Sequence, residues 1–337
     1  MKVVILAGGS GERFWPFSTP DMPKQFLRLF GDKSLIRWTF ERVLKEMNPK
    51  DVFVVTYKDY VERTGEELYE LPKENIIAEP MKRNTAPACF IGTKLAEENE
   101  PVLVLPADHR IPNTEKFWET VNKAVTALER YGGLFTFGIV PTRPETGYGY
   151  IEVGSQLEEG VHNVAQFKEK PDLETAKKFI ESGNYLWNSG MFLWKGGEFI
   201  DEVRICEPAI YEHLKDVDPR DFEALKKAYE KVPEISVDYA VMERSKKVRV
   251  VKADFEWSDV GNWSSVREIE GYTEESENVI LVDSERVFVK PFNKPIAVVG
   301  LSDIIVIDSP NGILVCREET AQRVREVTKK LRSSKPS

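Results

Sequence analysis

Four short apolar runs constrain the fold of this chain more than any other feature. They are "KVVILAG" from Lys2, "DVFVVT" from Asp51, "NIIAEP" from Asn75 and "PVLVLPAD" from Pro101. Each is continuous rather than alternating and rich in β-branched residues, as expected for strands buried on both faces of a parallel sheet. Helical stretches lie between them, such as "SLIRWTFERVLKEM" from Ser34 and "TAPACFIGTKLAEEN" from Thr85. Strand and helix in alternation predict a doubly wound α/β sheet. After "GLFTFGI" from Gly133 the pattern is mixed. "GYIEVG" and "VAQFKEK" read as strands, and "LETAKKFIESG" as a helix ending on a glycine cap.

From about Asn278 the texture changes. "NVILVD", "RVFVKP", "PIAVVGL", "DIIVIDS" and "GILVCRE" are short strands separated by turn residues, with a hairpin signal at Asn311-Gly312. A closing amphipathic helix, "EETAQRVREVTKKL", precedes a polar tail expected to be disordered. No strong internal repeat or low-complexity linker is visible. The change in pattern places a domain boundary after residue 265, giving a large α/β domain over 1–265 and a small β-rich domain over 266–337.

Composition excludes several classes. The 337 residues hold 41% hydrophobic and 31% charged side chains, ordinary for a globular enzyme. No apolar run reaches membrane-spanning length and none resembles a signal peptide. Cys89, Cys206 and Cys316 are too scattered for a disulfide framework or a zinc site, so a reducing, cytoplasmic setting is expected. A net charge of −9 argues against nucleic-acid or membrane partners.

The first strand runs into "LAGGSGERFWP", from Leu6 to Pro16. Phe14 stands where the dinucleotide fingerprint needs its third glycine, and no Gly-Lys-Ser/Thr follows, so neither common nucleotide template fits. Gly8, Gly9 and Gly11 are nevertheless able to take positive φ and bring backbone N–H groups close to an anion. A helix after the turn would add its positive end, and Arg13 a forked cation suited to phosphate. Lys24, in "TPDMPKQFL", is a candidate second phosphate cation. Asp108 closes the "VLVLP" strand, where open α/β sheets place their ligands. A tight turn with one arginine, a solvated lysine and a capping aspartate remain the alternative reading of these residues taken singly.

Taken together, "LAGGSGERFWP" and "PKQFL" resemble the signature of the sugar-1-phosphate nucleotidyltransferases, more narrowly their mannose-1-phosphate guanylyltransferase branch. The resemblance continues through "EPMKRNTAPA" from Glu79, "LPADHRI" from Leu105, "FGIVPTRPETGYGYIE" from Phe137 and "FKEKPD" from Phe167. It ends with "WNSGMF" from Trp187, "SVDYAVME" from Ser236 and "WSDVGNW" from Trp257. It implies a Rossmann-like (GT-A-like) domain with a mixed, mostly parallel sheet, and transfer of GMP from GTP to mannose 1-phosphate to give GDP-mannose and pyrophosphate. By resemblance, Arg13, Lys24 and Lys170 are catalytic cations, and Asp108 and Asp259 hold Mg²⁺. Leu6, Ala7, Gly8, Gly9, Gly11, Glu79, Pro80, Asn84, Thr85, Pro106 and Asp108 bind the nucleotide, the guanine meeting backbone carbonyls near Glu79 and Pro80 and the Asn84 side chain. Gly147, Glu169, Lys170 and Asn188 bind the sugar phosphate, while Trp187 and Met191 pack. A homodimer is expected, and the β-rich segment either packs on the catalytic domain or builds that dimer. Some members carry an added isomerase domain; the chain ends too early for one, so no isomerase activity is expected. The competing readings are a glucose-1-phosphate thymidylyl- or uridylyltransferase, a non-catalytic nucleotide-sugar-binding homologue and, weakly, a nicotinamide-dependent dehydrogenase.

Overall fold

The computed structural model describes residues 1–9 and 11–333. The end of the polar tail, 334–337, lies outside the described residues. The chain divides into two compact units that interleave along the sequence. The first comprises Met1–Gly8, Thr39–Ala107 and Ile111–Trp257; the second takes Gly9–Trp38, Asp108–Arg110 and the chain from Ser258 on. Among the described residues no helix is long and apolar enough to cross a membrane.

The first unit is built on a nine-stranded sheet. Its strands are β1 (Lys2–Ala7), β2 (Val52–Tyr57), β3 (Ile76–Glu79), β4 (Pro101–Pro106), β5 (Leu134–Ile139), β6 (Tyr150–Glu158), β7 (Val161–Lys168), β8 (Tyr185–Lys195) and β9 (Val248–Lys252). Their spatial order is β3-β2-β1-β4-β8-β5-β9-β7-β6. Only β8 and β7 run against the other strands, so the sheet is mixed but mostly parallel in direction. The four apolar runs noted in the sequence form its parallel half, and Val3, Val4, Ile5, Val54, Leu103 and Val104 are wholly buried there. Helix Thr114–Tyr131 starts on the Asn113 side chain, which accepts the Lys116 N–H at 2.9 Å. Helix Leu173–Ser182 ends, as its sequence suggests, on Gly183 at φ 68°.

The order places a topological switch between β1 and β4. The chain leaves β1 toward β2 and β3 on one side, while β4 lies on the other. Leu6 pairs with Pro106, and the Ala107 N–H donates to the Leu6 carbonyl at 3.0 Å. Both carboxyl ends therefore open at one edge, the position where such sheets bind ligands.

The second unit departs from the sequence reading in two respects. No α-helix follows the glycine turn: residues Glu12–Phe14 make a single 3-10 turn, so the expected positive helix end is missing there. Of the three glycines, only Gly11 takes positive φ, at 64°. A Cβ at Gly11 would fall 2.5 Å from the Lys24 Cβ, so close packing against Lys24 also calls for glycine.

The second departure is a structural repeat. Strands β10 (Val279–Val282), β11 (Glu285–Lys290), β12 (Ile296–Val299), β13 (Ser302–Ser309) and β14 (Gly312–Arg317) follow in order. β10 pairs in parallel with β12, and β11 with β13, Val279 facing Ile296 and Val287 facing Ile304 at a constant offset of 17 residues. Left-handed backbone recurs at the same offset, at Asp283 and Gly300 and at Arg286 and Asp303. Two coils of a β-helix are thus stacked, joined at the Arg286–Asp303 corner by a forked ion pair with contacts of 2.6 and 2.9 Å. The Asn311-Gly312 signal does form a hairpin, between β13 and β14.

The coil shares a core with the glycine turn inside this unit. Phe14, Leu27, Val260 and Trp263 are buried with Phe288, Ile305, Ile307 and Leu314. The Trp263 indole lies edge-on to Phe14 and Phe17 and donates to the Trp15 carbonyl at 3.0 Å. The Ser309 hydroxyl and the Asn311 amide both donate to the Pro16 carbonyl, each at 3.1 Å.

Candidate active site

Lys24 is the centre of the charged group in the second unit. The extended approach through Pro23 sets it at the head of the 3-10 turn Lys24–Phe26, where its stem is buried and its ammonium passes over the Phe14 ring. Its Nζ lies 2.7 Å from Asp108 Oδ2 and donates to the Asp259 carbonyl at 2.6 Å. Arg110 and Ser258 pair as an antiparallel bridge, with N–H···O distances of 2.9 and 3.0 Å. That bridge sets the segment carrying Asp108 beside the one carrying Asp259. Burial pushes the Asp108 carboxyl up, but the Lys24 ammonium and His109 outweigh it and hold it below the ordinary carboxylate range. Asp259 precedes buried Val260 at φ 46°, a conformation that costs a β-branched residue about 1–3 kcal/mol. Next comes Gly261, whose Cβ would fall 3.0 Å from Asp259 Oδ2. Arg13 donates to Gln322 Oε1 at 3.1 Å, on the helical turn Glu318–Arg323.

The oxygens on the Lys24 ammonium, one Asp108 carboxylate oxygen and the Asp259 backbone carbonyl, are of the hard kind that suits a divalent cation. Among the described residues no group of three or more His, Cys, Asp or Glu side chains is set to hold a metal. A divalent cation held by so few protein oxygens takes the rest of its shell from phosphate oxygens and water.

Two further groups belong to the first unit. At the end of β3 the Glu79 side chain is buried and accepts from the Tyr229 hydroxyl at 3.1 Å. Burial lifts its carboxyl to about 7 against that hydrogen bond. Its Oε2 lies 3.5 Å from where a Cβ on Gly8 would sit. The sequence reading used only the backbone here; the side chain is the unusual part. A carboxyl raised on folding binds its proton more tightly in the native state, so stability falls as pH rises through the window from 4.5 to about 7. Glu79→Gln removes that loss. Its thermal midpoint is expected to match the wild type near pH 4.5 and exceed it above pH 7, by about 1–3 kcal/mol of stability. A difference that stays constant with pH would sink this account.

Beside Glu79, Asn84 adopts φ 66° and caps helix Thr85–Thr93. Its Oδ1 accepts the Thr85 N–H at 2.9 Å, and the Ala86 N–H goes to the Ile235 carbonyl at 3.1 Å. Thr85 accepts the Val237 N–H at 2.9 Å. The first donors of this helix are therefore engaged within the protein. Arg83 caps structure, donating to the Tyr229 carbonyl at 2.7 Å. Pro80 is buried next to Glu79.

The other group gathers Glu169, Lys170 and Asn188. Glu169 is buried and paired with the Lys170 ammonium. Lys170 itself sits at φ 47°, its N–H donating to the Tyr148 carbonyl at 3.2 Å. Burial lowers the Lys170 ammonium, but Glu169 more than reverses this and leaves it raised. The Asn188 N–H donates to the Gly149 carbonyl at 2.8 Å. Glycine at 149 leaves room for both side chains, since a Cβ there would fall 2.5 Å from Glu169 Oε2 and 3.2 Å from the Asn188 Cβ. Gly147 lies on the exposed turn before it, its N–H donating to Glu145 Oε1 at 3.0 Å. Trp187 and Met191 are buried in the packing.

Comparison with known proteins fixes the family. The nucleotidyl transferase family model matches residues 2–276, and the MannoseP isomerase/GMP-like beta-helix domain model matches residues 277–331. A mannose-1-phosphate guanylyltransferase from Escherichia coli is 38% identical over 97% of this chain and 75% of its own length. The chain belongs to the mannose-1-phosphate guanylyltransferase family of nucleotidyltransferases. The family member ManC of Salmonella typhimurium is 39% identical over 98% of this chain and 73% of its own. The crystal structure of a mannose-1-phosphate geranyltransferase from Thermus thermophilus superposes with a TM-score of 0.87. It shares 33% identity, covering 98% of this chain and 99% of that one.

The sequence reading passed over two residues of the family blocks. Gly149 was detectable as a small residue in "GYGY" facing the "WNSGMF" strand. Asp238, in "SVDYAVME", accepts from the Asn188 amide at 2.9 Å and had no signal beyond being an acid in an apolar stretch.

Proposed function

We propose that the chain transfers GMP from GTP to mannose 1-phosphate, forming GDP-mannose and releasing pyrophosphate. The observation carrying this reading is the meeting of the Asp108 and Asp259 segments around Lys24, in a chain alike over its length to mannose-1-phosphate guanylyltransferases. A phosphate oxygen of mannose 1-phosphate forms a bond to the α-phosphorus of GTP as the bond to the leaving pyrophosphate breaks. The second pKa of such a phosphate is about 6, so the nucleophile is largely dianionic at neutrality and needs no general base. The barrier lies in bringing anions together, and positioned cations lower it.

In this reading Arg13, released from Gln322, and Lys24 hold the triphosphate. Lys170 takes the phosphate of the incoming sugar, Glu169 accepts from sugar hydroxyls, and Asn188 and the Gly147 backbone complete that pocket. By the family blocks they stand in, Leu6, Ala7, Gly8, Gly9, Gly11, Glu79, Pro80, Asn84, Thr85 and Pro106 are assigned to the nucleotide. Mg²⁺ bound to Asp108 and Asp259 would supply charge neutralisation at the phosphates. Residues 1–265 carry the chemistry and 266–337 form the appended β-rich part. A homodimer in the cytoplasm completes the reading; the exposed apolar side chains of the coil, Ile280, Val282, Val299, Leu301, Ile313 and Val315, support the dimer.

The test is a matrix of nucleoside triphosphates against sugar 1-phosphates, scored by pyrophosphate release with and without Mg²⁺. GTP with mannose 1-phosphate is expected to give the highest kcat/KM. A clear preference for dTTP or UTP with glucose 1-phosphate would overturn the assignment.

A further inference from the structure

Asp238 opens the π-helical segment Asp238–Met242, an irregularity that recurs at functional sites. Its Oδ1 accepts from Asn188 Nδ2 at 2.9 Å. The other end of that amide is fixed independently, because Asn188 Oδ1 accepts the Thr136 hydroxyl at 2.8 Å and the Gly190 N–H at 3.1 Å. Only Nδ2 remains for Asp238, so the carboxyl completes the orientation of Asn188. The same Asn188 lies beside Glu169, since a Cβ on Gly149 would meet both Glu169 Oε2, at 2.5 Å, and the Asn188 Cβ, at 3.2 Å. Glu243, which closes the π-helical segment, accepts the Glu169 N–H at 2.7 Å.

We propose that Asp238 is a positioning residue of the sugar-phosphate pocket, paired with Glu169 so that a proton on the pair sets the charge with which Lys170 meets phosphate. Lys170 has three carboxyls around it, those of Glu169, Asp238 and, on the Glu169 N–H, Glu243. When Glu169 and Asp238 are both ionised they outweigh Lys170 and oppose an arriving dianion; a proton on one of them removes a negative charge from the group. The charged and titratable groups around Asp238 and Glu169 include Lys170, Tyr239, Glu243 and Cys89. Burial and then the charge of Glu169 push Asp238 up to about 7, against the pull of Lys170. Asp238 is therefore the carboxyl that keeps a proton more readily than an ordinary aspartate.

The inference rests on the reading that Lys170 takes the sugar phosphate, and the experiment separates the two. kcat/KM for mannose 1-phosphate and KM for GTP are measured against pH in wild type, Asp238→Asn, Asp238→Ala and Glu169→Gln. In wild type, kcat/KM for the sugar phosphate is expected to fall about tenfold within one pH unit above the midpoint of the pair, while KM for GTP stays level. Asp238→Asn keeps an oxygen for the Asn188 amide but cannot ionise, so this falling limb disappears. Asp238→Ala loses the Asn188 contact as well and raises KM for the sugar phosphate at every pH. Glu169→Gln removes the neighbouring charge and moves the limb to lower pH. A limb unchanged in Asp238→Asn, or unmoved in Glu169→Gln, overturns the pairing. A wild-type enzyme inactive on mannose 1-phosphate overturns the underlying reading instead.

Discussion

Replacing Asp259 with asparagine is expected to lower kcat by about two to three decades while leaving the fold intact. Asparagine matches aspartate in shape and keeps one oxygen, so it fits beside Gly261, where the closest approach to a Cβ would be 3.0 Å. Only the negative charge is lost. In the proposed reaction that charge helps hold a divalent cation against crowded phosphates, and losing a positioned electrostatic group of this kind costs about 2.7–4 kcal/mol. The variant is also expected to need more Mg²⁺ for half-maximal rate, since this ion favours hard anionic oxygens. The local strain supports a role beyond packing, because buried Val260 holds a left-handed backbone directly after Asp259. Had Asp259 only shaped that turn, the variant would melt earlier yet turn over normally at saturating Mg²⁺. That outcome would remove Asp259 from the site.

Lys170→Met is expected to raise KM for mannose 1-phosphate roughly ten- to hundredfold, with some loss of kcat and an unchanged KM for GTP. Methionine keeps most of the stem and tolerates φ 47° no better or worse than lysine, so the backbone cost does not change. What disappears is a charge-assisted bond to phosphate, worth about 1.5–3 kcal/mol. Buried Glu169 also loses the ammonium paired with it. Steady-state kinetics with each substrate varied in turn gives the answer. If the GTP constant moved and the sugar-phosphate constant did not, Lys170 would belong to the nucleotide instead.

The parallel half of the sheet was legible because burial on both faces writes itself as uninterrupted Val, Ile and Leu. Caps such as Gly183 were legible because a glycine closing a helical pattern marks a left-handed stop. The glycine turn misled in one respect. A glycine-rich loop after a strand usually opens a helix, whereas "ERF" makes one 3-10 turn and then packs Phe14 beneath Trp263, a choice made by tertiary contact. The β-helix coils escaped notice because their repeat lies in burial and corner conformation, not in residue identity: Val279 answers Ile296, and Arg286 answers Asp303. At the candidate site the residue types and their order were readable. The buried side chain of Glu79 and the link from Asp238 to Asn188 were not, since both arise from contacts between segments distant in sequence.

The shared core of the second unit bears on how the protein meets heat. Trp263, Phe14 and Val260, next to the residues that carry Lys24 and Asp259, are packed by Phe288, Ile305 and Leu314 of the coil, while the large sheet has a separate core. A β-helix of two turns has few stacked neighbours to spare, so fraying at its outer rung reaches the segments that carry Lys24 and Asp259 early. Loss of turnover on warming is then expected to precede the main calorimetric transition. For anyone seeking a hardier catalyst, the outer rung of the coil is the place to reinforce, far along the chain from the chemistry it protects.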